Sequence, residues 1–383
     1  MKTRVLKTDP LRPDAAVIDE AARIIAAGGL VAFPTETVYG LGADALNGRA
    51  VRGIFAAKGR PADNPLIVHV AEPAQLPEVA QHVPEAVDAL ARHFWPGPLT
   101  VVVPRRPEVP DEVTAGLDTV AVRVPDHAVA LALIRRSGRP LAAPSANRSG
   151  RPSPTEARHV WEDLQGRIDL IIDGGPCGIG LESTVLDLTA SRPVILRPGA
   201  VTPEDLAPVI GPVDVDPGAE GLAGGEPGAG GPVRSPGMKY RHYAPRTPCV
   251  LYEGPPEAVA EAVAARLPAE PARGRRVGLL ATAESAGRWE ADAVRIAGAR
   301  SAPETIARSL YRCLRELDEA GVDLIIMEGI EPAGLGAAIM NRMRRAAGHR
   351  TVAVGPREPA GRGGPRARPA PLHPLSRPPV HPG

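Results

Sequence analysis

The sequence lacks an excess of charge of either sign. Its 383 residues include 45 Lys and Arg against 44 Asp and Glu, which leaves a formal net charge of +1. A chain balanced in this way has no global attraction to nucleic acid or to an anionic membrane surface. Any electrostatic recognition must therefore come from local groups of charged side chains.

Cysteines, aromatic residues and long apolar runs are also scarce. The three cysteines, Cys177, Cys249 and Cys313, lie far apart and form no Cys-x-x-Cys spacing, which argues against a disulfide framework and a structural zinc site. No apolar run approaches the roughly 18 residues of a membrane span, and residues 1–10 lack the apolar core of a secretory signal. We therefore expect a cytoplasmic protein with no membrane contact.

Helix and strand signals divide the chain into four parts. Residues 1–210 mix short helices and strands without strict alternation, which predicts an α/β or α+β sheet domain. Residues 211–246 are rich in Gly and Pro and read as a linker, and residues 247–356 alternate strands and helices as a smaller, largely parallel α/β domain does. Residues 357–383 are rich in Pro, Arg and Gly and are predicted to be a disordered tail.

Apolar periodicity and turn residues predict the individual elements. The predicted helices cover 14–27, 50–57, 84–94, 128–136, 154–165, 257–267, 305–320 and 337–347. The predicted strands cover 30–33, 99–103, 119–124, 141–143, 170–173, 184–188, 194–196, 249–252, 276–281, 322–327 and 351–354. Asp14 and Thr155 are the expected N-caps of two of these helices.

A first polar group follows the apolar strand at 30–33. The chain there reads Phe-Pro-Thr-Glu-Thr-Val-Tyr-Gly-Leu-Gly, and Lys58, Arg60, Asn64 and His69 come shortly after it. Hydroxyls and glycines at a strand end, followed by two cations, suit a small anionic ligand. The alternatives are an ordinary strand exit, a solvated turn and a histidine satisfied in the core.

A second polar group lies between residues 123 and 197. The Ser- and Gly-rich loop 144–153 can present donors to phosphate oxygens, and Gly174 to Thr184 is a further glycine-rich approach to a strand. Arg123 and Arg197 stand at strand ends, where an arginine can also simply extend into solvent. Together with Lys58 and Arg60 they would match the roughly four negative charges of a nucleoside triphosphate.

Several familiar motifs are missing from the sequence. There is no Gly-x-x-x-x-Gly-Lys-Ser/Thr phosphate loop, no dinucleotide fingerprint, and no convincing Ser-His-Asp or Cys-His arrangement. A nucleotide would have to be held without a phosphate loop. The residues suit the positioning of anions better than the formation of a covalent intermediate.

From about residue 10 to 205 these segments resemble the threonylcarbamoyl-AMP synthase family, whose catalytic module is the YrdC-like domain. The resemblance rests on Pro-Thr-Glu-Thr-Val-Tyr-Gly-Leu, Lys-x-Arg-Pro-x-x-Asn-Pro-Leu, Trp-Pro-Gly-Pro-Leu-Thr, Val-Arg-Val-Pro, Pro-Ser-Ala-Asn-x-Ser-Gly and Glu-Ser-Thr-Val, in that order. Residues 235–245, Ser-Pro-Gly-Met-Lys-Tyr-Arg-His-Tyr-Ala-Pro, and the α/β unit behind them resemble the two-domain branch of the family.

The resemblance implies a twisted mixed sheet that encloses a concave basic cavity, followed by a smaller Rossmann-like α/β domain. It implies a nucleotidyltransferase that converts L-threonine, bicarbonate or CO₂, and ATP to threonylcarbamoyl-adenylate and pyrophosphate, with Mg²⁺ accompanying the ATP. A partner transferase would then modify adenosine 37 of tRNA. No stable binding of nucleic acid by this chain is expected.

The family pattern also implies roles for individual residues. Lys58 and Arg60 would be catalytic, with Lys58 facing the phosphates or the carboxyl donor, and the linker 211–246 would close over the site as a lid. The implied threonine-binding residues are Thr37, His69, Arg123, Ala143 and Ser183. The implied ATP-binding residues are Arg60, Asn64, Ser145, Ser153, Arg197 and Tyr243.

Two other functions remain open from the sequence. A carbamoyltransferase would use a related module, but the acylphosphatase-like and zinc-finger segments of such enzymes are not visible. A double-stranded RNA-binding module would use the local basic patch of Arg148, Arg151 and Arg158, although interleaved aromatics for base stacking are missing.

Overall fold

A computed structural model describes residues 2–220 and 243–355 as two sheet domains joined by an extensive interface. The segment 221–242, which holds most of the expected lid, and the expected tail lie outside the described residues. In the described parts of the chain the strands are β1 Arg4–Lys7, β2 Val31–Phe33, β3 Gly40–Asp44, β4 Ile67–His69, β5 Leu99–Pro104, β6 Thr119–Arg123, β7 Leu141–Ala142, β8 Leu170–Asp173, β9 Thr184–Asp187, β10 Val194–Arg197, β11 Asp214–Val215, β12 Cys249–Glu253, β13 Val277–Ala281, β14 Ala293–Ile296, β15 Leu324–Glu328 and β16 Thr351–Ala353.

The α-helices of the same described residues flank these strands. They are α1 Ala15–Ala26, α2 Gly48–Lys58, α3 Ala86–Phe94, α4 Asp111–Thr114, α5 Ala128–Ser137, α6 Ala157–Leu164, α7 Pro203–Ile210, α8 Pro256–Arg266, α9 Pro303–Glu319 and α10 Leu335–Ala346. No helix within the described ranges has both the length and the apolar character that crossing a bilayer requires.

The first domain is a mixed sheet, as the sequence predicts. Over the described residues its strand order is β1-β8-β2-β3-β7-β4-β6-β5-β9-β10-β11, with parallel and antiparallel pairs intermixed. The apolar side chains of these short strands are almost all buried, and Val31, Val101 and Val122 are completely inaccessible. Burial on both faces explains why they read as continuous β-branched runs. The residues of the site lie on or next to seven neighbouring strands of this sheet, namely β3, β7, β4, β6, β5, β9 and β10.

The second domain is a parallel sheet in the order β14-β13-β15-β12-β16, which also agrees with the expectation from the sequence. Its helices α9 and α10 lie between this sheet and the first domain, so that their buried residues serve both. Gly180 shows how closely the domains approach, because a Cβ there would lie 2.5 Å from the carbonyl oxygen of Ala307 in α9. The two domains are therefore in direct backbone contact at this point of the interface.

Helix boundaries follow capping chemistry in most cases. Asp14 caps α1 by accepting from the Ala16 amide, as predicted, and Gly28 with φ of +80° lies just beyond the end of that helix. The predicted cap Thr155 is wrong: α6 begins at Ala157, its N-cap residue is Glu156, and the Thr155 amide instead donates to Nδ1 of His159. Strands β1 and β14 and helix α7 were not among the predicted elements.

Candidate functional site: a basic cavity in the first domain

A cavity of about 570 Å³, counted to its open mouth, lies at the ends of the central strands. We call it the basic cavity. Its lining combines hydroxyls, guanidinium groups, one imidazole and small apolar residues. The lining residues are Thr35, Thr37, Val38, Gly40, Arg60, Ile67, His69, Arg123, Ala143, Pro144, Ser145, Glu182, Ser183, Arg197 and Tyr243. Its lining of hydroxyl and guanidinium groups suits a small anionic ligand.

Nine of the predicted site residues meet in this cavity. They are Thr37, Arg60, His69, Arg123, Ala143, Ser145, Ser183, Arg197 and Tyr243. The three arginines come from separate segments, since Arg60 follows α2 and the other two end β6 and β10. Burial of several guanidinium groups close together is unfavourable unless an anion binds among them. Their convergence therefore points to an anionic ligand.

One end of the cavity is built around Arg123, which is 3% exposed. Its Nη1 donates to Oγ1 of Thr37 at 2.9 Å, its Nε donates to the Gly97 carbonyl at 3.1 Å, and its Nη2 lies 2.5 Å from a carboxylate oxygen of Glu36. These contacts hold the guanidinium in one orientation. A carboxylate entering the cavity would meet a preoriented donor group beside a hydroxyl.

His69 stands next to Arg123 because β4 and β6 pair in parallel with these two residues in register. Burial, assisted by the positive charge of Arg123, lowers the pKa of His69 to about 3. The imidazole is therefore neutral near pH 7. Its Nδ1 is buried and has no hydrogen-bond partner among the described residues, so it is available to a ligand hydroxyl or amine.

Arg197 and Ser183 shape the opposite end. Arg197 donates from Nε to the Ser183 carbonyl at 3.1 Å and from Nη2 to the Ser183 hydroxyl at 3.2 Å, and that hydroxyl also lies 2.7 Å from Oγ1 of Thr100. Burial lowers the pKa of Arg197. A guanidinium desolvated in this way gains when a polyanion binds beside it.

Arg60 approaches from the loop after α2. Its Nη2 donates to the carbonyl oxygens of Asn64 and Pro65 at 3.2 and 3.1 Å, and its buried Nε has no hydrogen-bond partner among the described residues. Burial, and to a lesser extent the charge of Arg197, lowers the pKa of Arg60 to about 10. It remains charged at neutral pH, and its hydrogen-bond partners are carbonyl oxygens.

Three predicted site residues do not line the cavity. Lys58 is buried and donates from Nζ to the carbonyl oxygens of Ser145 and Asn147, each at 2.5 Å. It therefore holds the Ser-rich loop and does not line the cavity, and its role toward the phosphates or the carboxyl donor stays a prediction. Burial pushes its pKa well below the usual value. Asn64 is buried behind Arg60, and the Ser153 hydroxyl donates to a carboxylate oxygen of Glu182 at 2.5 Å.

Sequence reasoning missed the second domain's part in this site. Glu182 is the first residue of the Glu-Ser-Thr-Val motif. The sequence alone assigns no role to its carboxylate. That carboxylate accepts from the Tyr311 hydroxyl and from Nε of Arg342, both at 2.9 Å. No motif marks Tyr311 or Arg342, which belong to helices α9 and α10 and lie more than 120 residues along the chain from Glu182.

Tyr243 closes one side of the cavity. Its ring stacks on Tyr311 with centroids 5.5 Å apart and an angle of 26° between the rings, and the guanidinium of Arg342 lies 5.3 Å from its centroid. Its φ of +65° places a non-glycine residue in the left-handed region. Such a conformation persists only where the surroundings impose it, as these two contacts do.

The structure also places Tyr39 and the local basic patch of the alternative RNA-binding function. Tyr39 of the first polar group is fully buried, and its hydroxyl donates to the Gly175 carbonyl at 2.6 Å, so it is a core residue. The basic patch is largely neutralised, since Arg151 pairs with Asp163 and Arg158 pairs with Glu156. Neither observation favours an RNA-binding surface.

Comparisons with known proteins place the chain among relatives that share both of its domains. The family model described as "Telomere recombination" (Sua5_yciO_yrdC) matches residues 23–199, and the model described as "Threonylcarbamoyl-AMP synthase, C-terminal domain" matches residues 201–348. The threonylcarbamoyl-AMP synthase of Bacillus subtilis is 51% identical over 356 residues, which is 92% of this chain and 100% of that protein. The protein of the same name from Pyrococcus abyssi is 50% identical over 87% of this chain and 95% of its own length.

The solved structures show the same similarity. A crystal structure of P. abyssi Sua5 complexed with L-threonine superposes with a TM-score of 0.86 at 48% sequence identity, and the match covers 92% of this chain and 99% of that one. A double-alanine variant of that protein gives a TM-score of 0.87. The similarity therefore extends over both domains.

Proposed function

Because the chain belongs to the threonylcarbamoyl-AMP synthase family, we propose that its basic cavity joins L-threonine, bicarbonate or CO₂, and ATP into threonylcarbamoyl-adenylate, with release of pyrophosphate. The observation that carries this proposal is the convergence of Arg60, Arg123 and Arg197 with the neutral His69 in one hollow. Such a set offers separate places for an amino-acid carboxylate and for a polyphosphate.

The Arg123 end suits threonine. Arg123 would bind the α-carboxylate while Thr37 keeps the guanidinium oriented, and Nδ1 of His69 would meet the side-chain hydroxyl or the amine. Ala143 would supply only its apolar surface and its carbonyl group, because its amide already donates to the Ile67 carbonyl at 2.9 Å. The threonine amine would react with CO₂ in its neutral form, which gives a carbamate and releases one proton to solvent.

The Arg60 and Arg197 end suits ATP. These two guanidinium groups would bind the triphosphate, with Ser145 beside the phosphates and the Tyr243 ring against the nucleotide. Ser183 would serve threonine, as the family resemblance implies. The carbamate oxygen would attack the α-phosphorus, and the bond from that phosphorus to the bridging oxygen would break with pyrophosphate as the leaving group. Positioning and charge neutralisation would supply most of the rate enhancement, as in other phosphorus-transfer reactions.

Mg²⁺ is expected with the nucleotide rather than at a site of its own. Across residues 2–220 and 243–355 no group of three or more His, Cys, Asp or Glu side chains is arranged to hold a metal ion. Glu182 lines the cavity but is already occupied by Arg342, Tyr311 and Ser153. We therefore propose that the ion enters as part of MgATP, where it would offset charge on the phosphates.

The product defines the class of the next step. A mixed anhydride of a carbamate and AMP hydrolyses readily, so a partner must accept the threonylcarbamoyl group soon after it forms. We propose that this partner is the transferase that modifies adenosine 37 of tRNA. We also propose the cytoplasm as the location, because ATP and the tRNA acceptor are both found there.

Release of pyrophosphate from ATP by the full chain tests the proposed function. We expect release to require L-threonine and bicarbonate together, and to stop when a chelator removes Mg²⁺. Omission of either co-substrate is the control for simple ATP hydrolysis. Release that continues at the same rate without threonine, or without bicarbonate, would contradict the assignment.

A further inference from the structure

Two side chains of the second domain hold a carboxylate that lines the basic cavity of the first. Arg342 of α10 and Tyr311 of α9 are both fully buried. Each donates to the same oxygen of Glu182 at 2.9 Å, while the Ser153 hydroxyl donates to the other oxygen at 2.5 Å. The carboxylate thus has three neighbours, two of which come from helices outside the catalytic domain.

The charge of Glu182 is shared between two arginines. Although burial opposes ionisation, the pKa of Glu182 stays below its usual value because of Arg342 first and Arg197 second. Arg197 lines the cavity and Arg342 does not. A Glu182 deprived of Arg342 would therefore remain buried with Arg197 as its principal cation, which would reduce the positive charge that Arg197 presents to a ligand.

The same two residues also hold Tyr243. Its ring contacts the Tyr311 ring and the guanidinium of Arg342, at centroid distances of 5.5 and 5.3 Å. Because Tyr243 adopts a left-handed backbone conformation, these contacts are needed to keep it in place. Arg342 thus contacts both Glu182 and Tyr243.

We propose that Arg342 is a positioning residue for ATP binding, which neutralises Glu182 and clamps Tyr243 so that Arg197 can serve the nucleotide phosphates. The proposal rests on the proposed function in that it takes ATP as the ligand of the cavity. It also gives the second domain a definite part in the reaction: α9 and α10 complete the nucleotide half of the site from outside it.

Arg342→Met and the double variant Arg342→Met with Glu182→Gln test this proposal. The Michaelis constant for ATP and kcat are measured by pyrophosphate release, and the dissociation constant for ATP by calorimetric titration. We expect Arg342→Met to weaken ATP binding at least tenfold, with a smaller change in kcat. Neutralising Glu182 in the same chain is expected to recover part of the lost ATP affinity, since the uncompensated carboxylate is then gone while Tyr243 still lacks the guanidinium.

Arg344→Met is the matched control. Arg344 lies on the same helix, is 9% exposed and pairs with Glu253 inside the second domain, where Nη2 and Oε2 are 2.7 Å apart. Its loss is expected to lower stability without changing ATP affinity. Tyr311→Phe, which removes only one hydroxyl, covers the case in which Arg342→Met does not fold, and is expected to weaken ATP binding a few-fold at an unchanged melting temperature.

The outcomes separate this proposal from the proposed function. If the Arg342→Met chain binds ATP as wild type does, or if Glu182→Gln brings no recovery, the positioning role is overturned. In the absence of a folded Arg342→Met chain, wild-type ATP affinity in Tyr311→Phe would overturn it. Pyrophosphate release that is independent of threonine in the wild-type chain would contradict the proposed function, whereas the calorimetric ATP titrations would still decide the role of Arg342.

Discussion

Replacing Arg60 with alanine is expected to reduce kcat/KM for ATP-dependent pyrophosphate release at least about a hundredfold. Arg60 donates hydrogen bonds from Nη2 to the carbonyls of Asn64 and Pro65, and its buried Nε has no hydrogen-bond partner within the described structure. A charged hydrogen bond to phosphate contributes roughly 1.5–3 kcal/mol. Loss of about 3 kcal/mol in the transition state corresponds to about two orders of magnitude in rate.

The same substitution is expected to leave the fold intact. Burial lowers the pKa of Arg60 to about 10, which means that the folded chain holds this charge at a cost. Removal of the charge should therefore leave the melting temperature unchanged or raise it. Arg60→Lys, which keeps a charge but loses the planar fork, should retain part of the activity.

Steady-state pyrophosphate release and thermal unfolding are measured on the same preparations. Arg106→Ala is the control, because Arg106 pairs with Glu108 on the surface and lies outside the basic cavity. We expect that control to keep wild-type kinetics. An Arg60→Ala enzyme with an unchanged rate, or one whose loss of rate merely follows a loss of folded protein, would refute the reasoning.

Three further predictions concern the lining, the interface and pH. Tyr243→Ala should weaken ATP binding about tenfold, since stacking and cation–π contacts of this kind contribute about 1 kcal/mol each; equal affinity in a calorimetric titration would reject its role at the nucleotide. Arg315→Met should lower the free energy of unfolding in urea by about 2 kcal/mol, because Arg315 is 2% exposed and its loss removes one of two cations beside the buried Asp163 and leaves Arg151 as its partner; a change below about 1 kcal/mol would mean that this ion pair does not hold the domains together. Finally, the folded chain keeps His69 neutral down to a pKa of about 3, whereas the unfolded chain protonates it below about 6.5. The free energy of unfolding should therefore decrease as the pH is lowered, with about 2 kcal/mol lost between pH 7 and 5 through this residue. His69→Gln should show a correspondingly flatter dependence of this free energy on pH. A dependence parallel to that of wild type would contradict the buried, neutral state.

Much of the fold could be predicted because the elements carry local signals. Helix α1 has its capping aspartate and a glycine stop, and β5 and β6 are β-branched runs bounded by turn residues. Strand β1 was missed because its four residues include three exposed side chains and its partner β8 is some 160 residues away. Strand β14 is short and not fully buried, so it too lacks a clear apolar pattern.

The candidate site could be predicted as far as it consists of residues within motifs. Thr37, Arg123 and Ser183 each stand in a short polar segment at a strand end, and the structure brings them together. Lys58 belongs to such a segment too, but its ammonium turns to loop carbonyls, a choice that depends on the packing of Ser145 and Asn147.

The contribution of the second domain could not be predicted in this way. Arg342 and Tyr311 occupy ordinary amphipathic helices, and only the docking of the two domains brings them to Glu182. Residue pairs separated by more than 120 positions leave no spacing pattern in a single sequence. Their roles follow from tertiary contacts alone.

Direct detection of the product tests the central claim most closely. The full chain is incubated with MgATP, L-threonine and isotopically labelled bicarbonate, and the mixture is examined by mass spectrometry while pyrophosphate is counted in parallel. We predict one adenylate carrying both threonine and the labelled carbonyl for each pyrophosphate released. Release of pyrophosphate with AMP alone, or an adenylate without the label, would contradict a cavity that joins all three substrates.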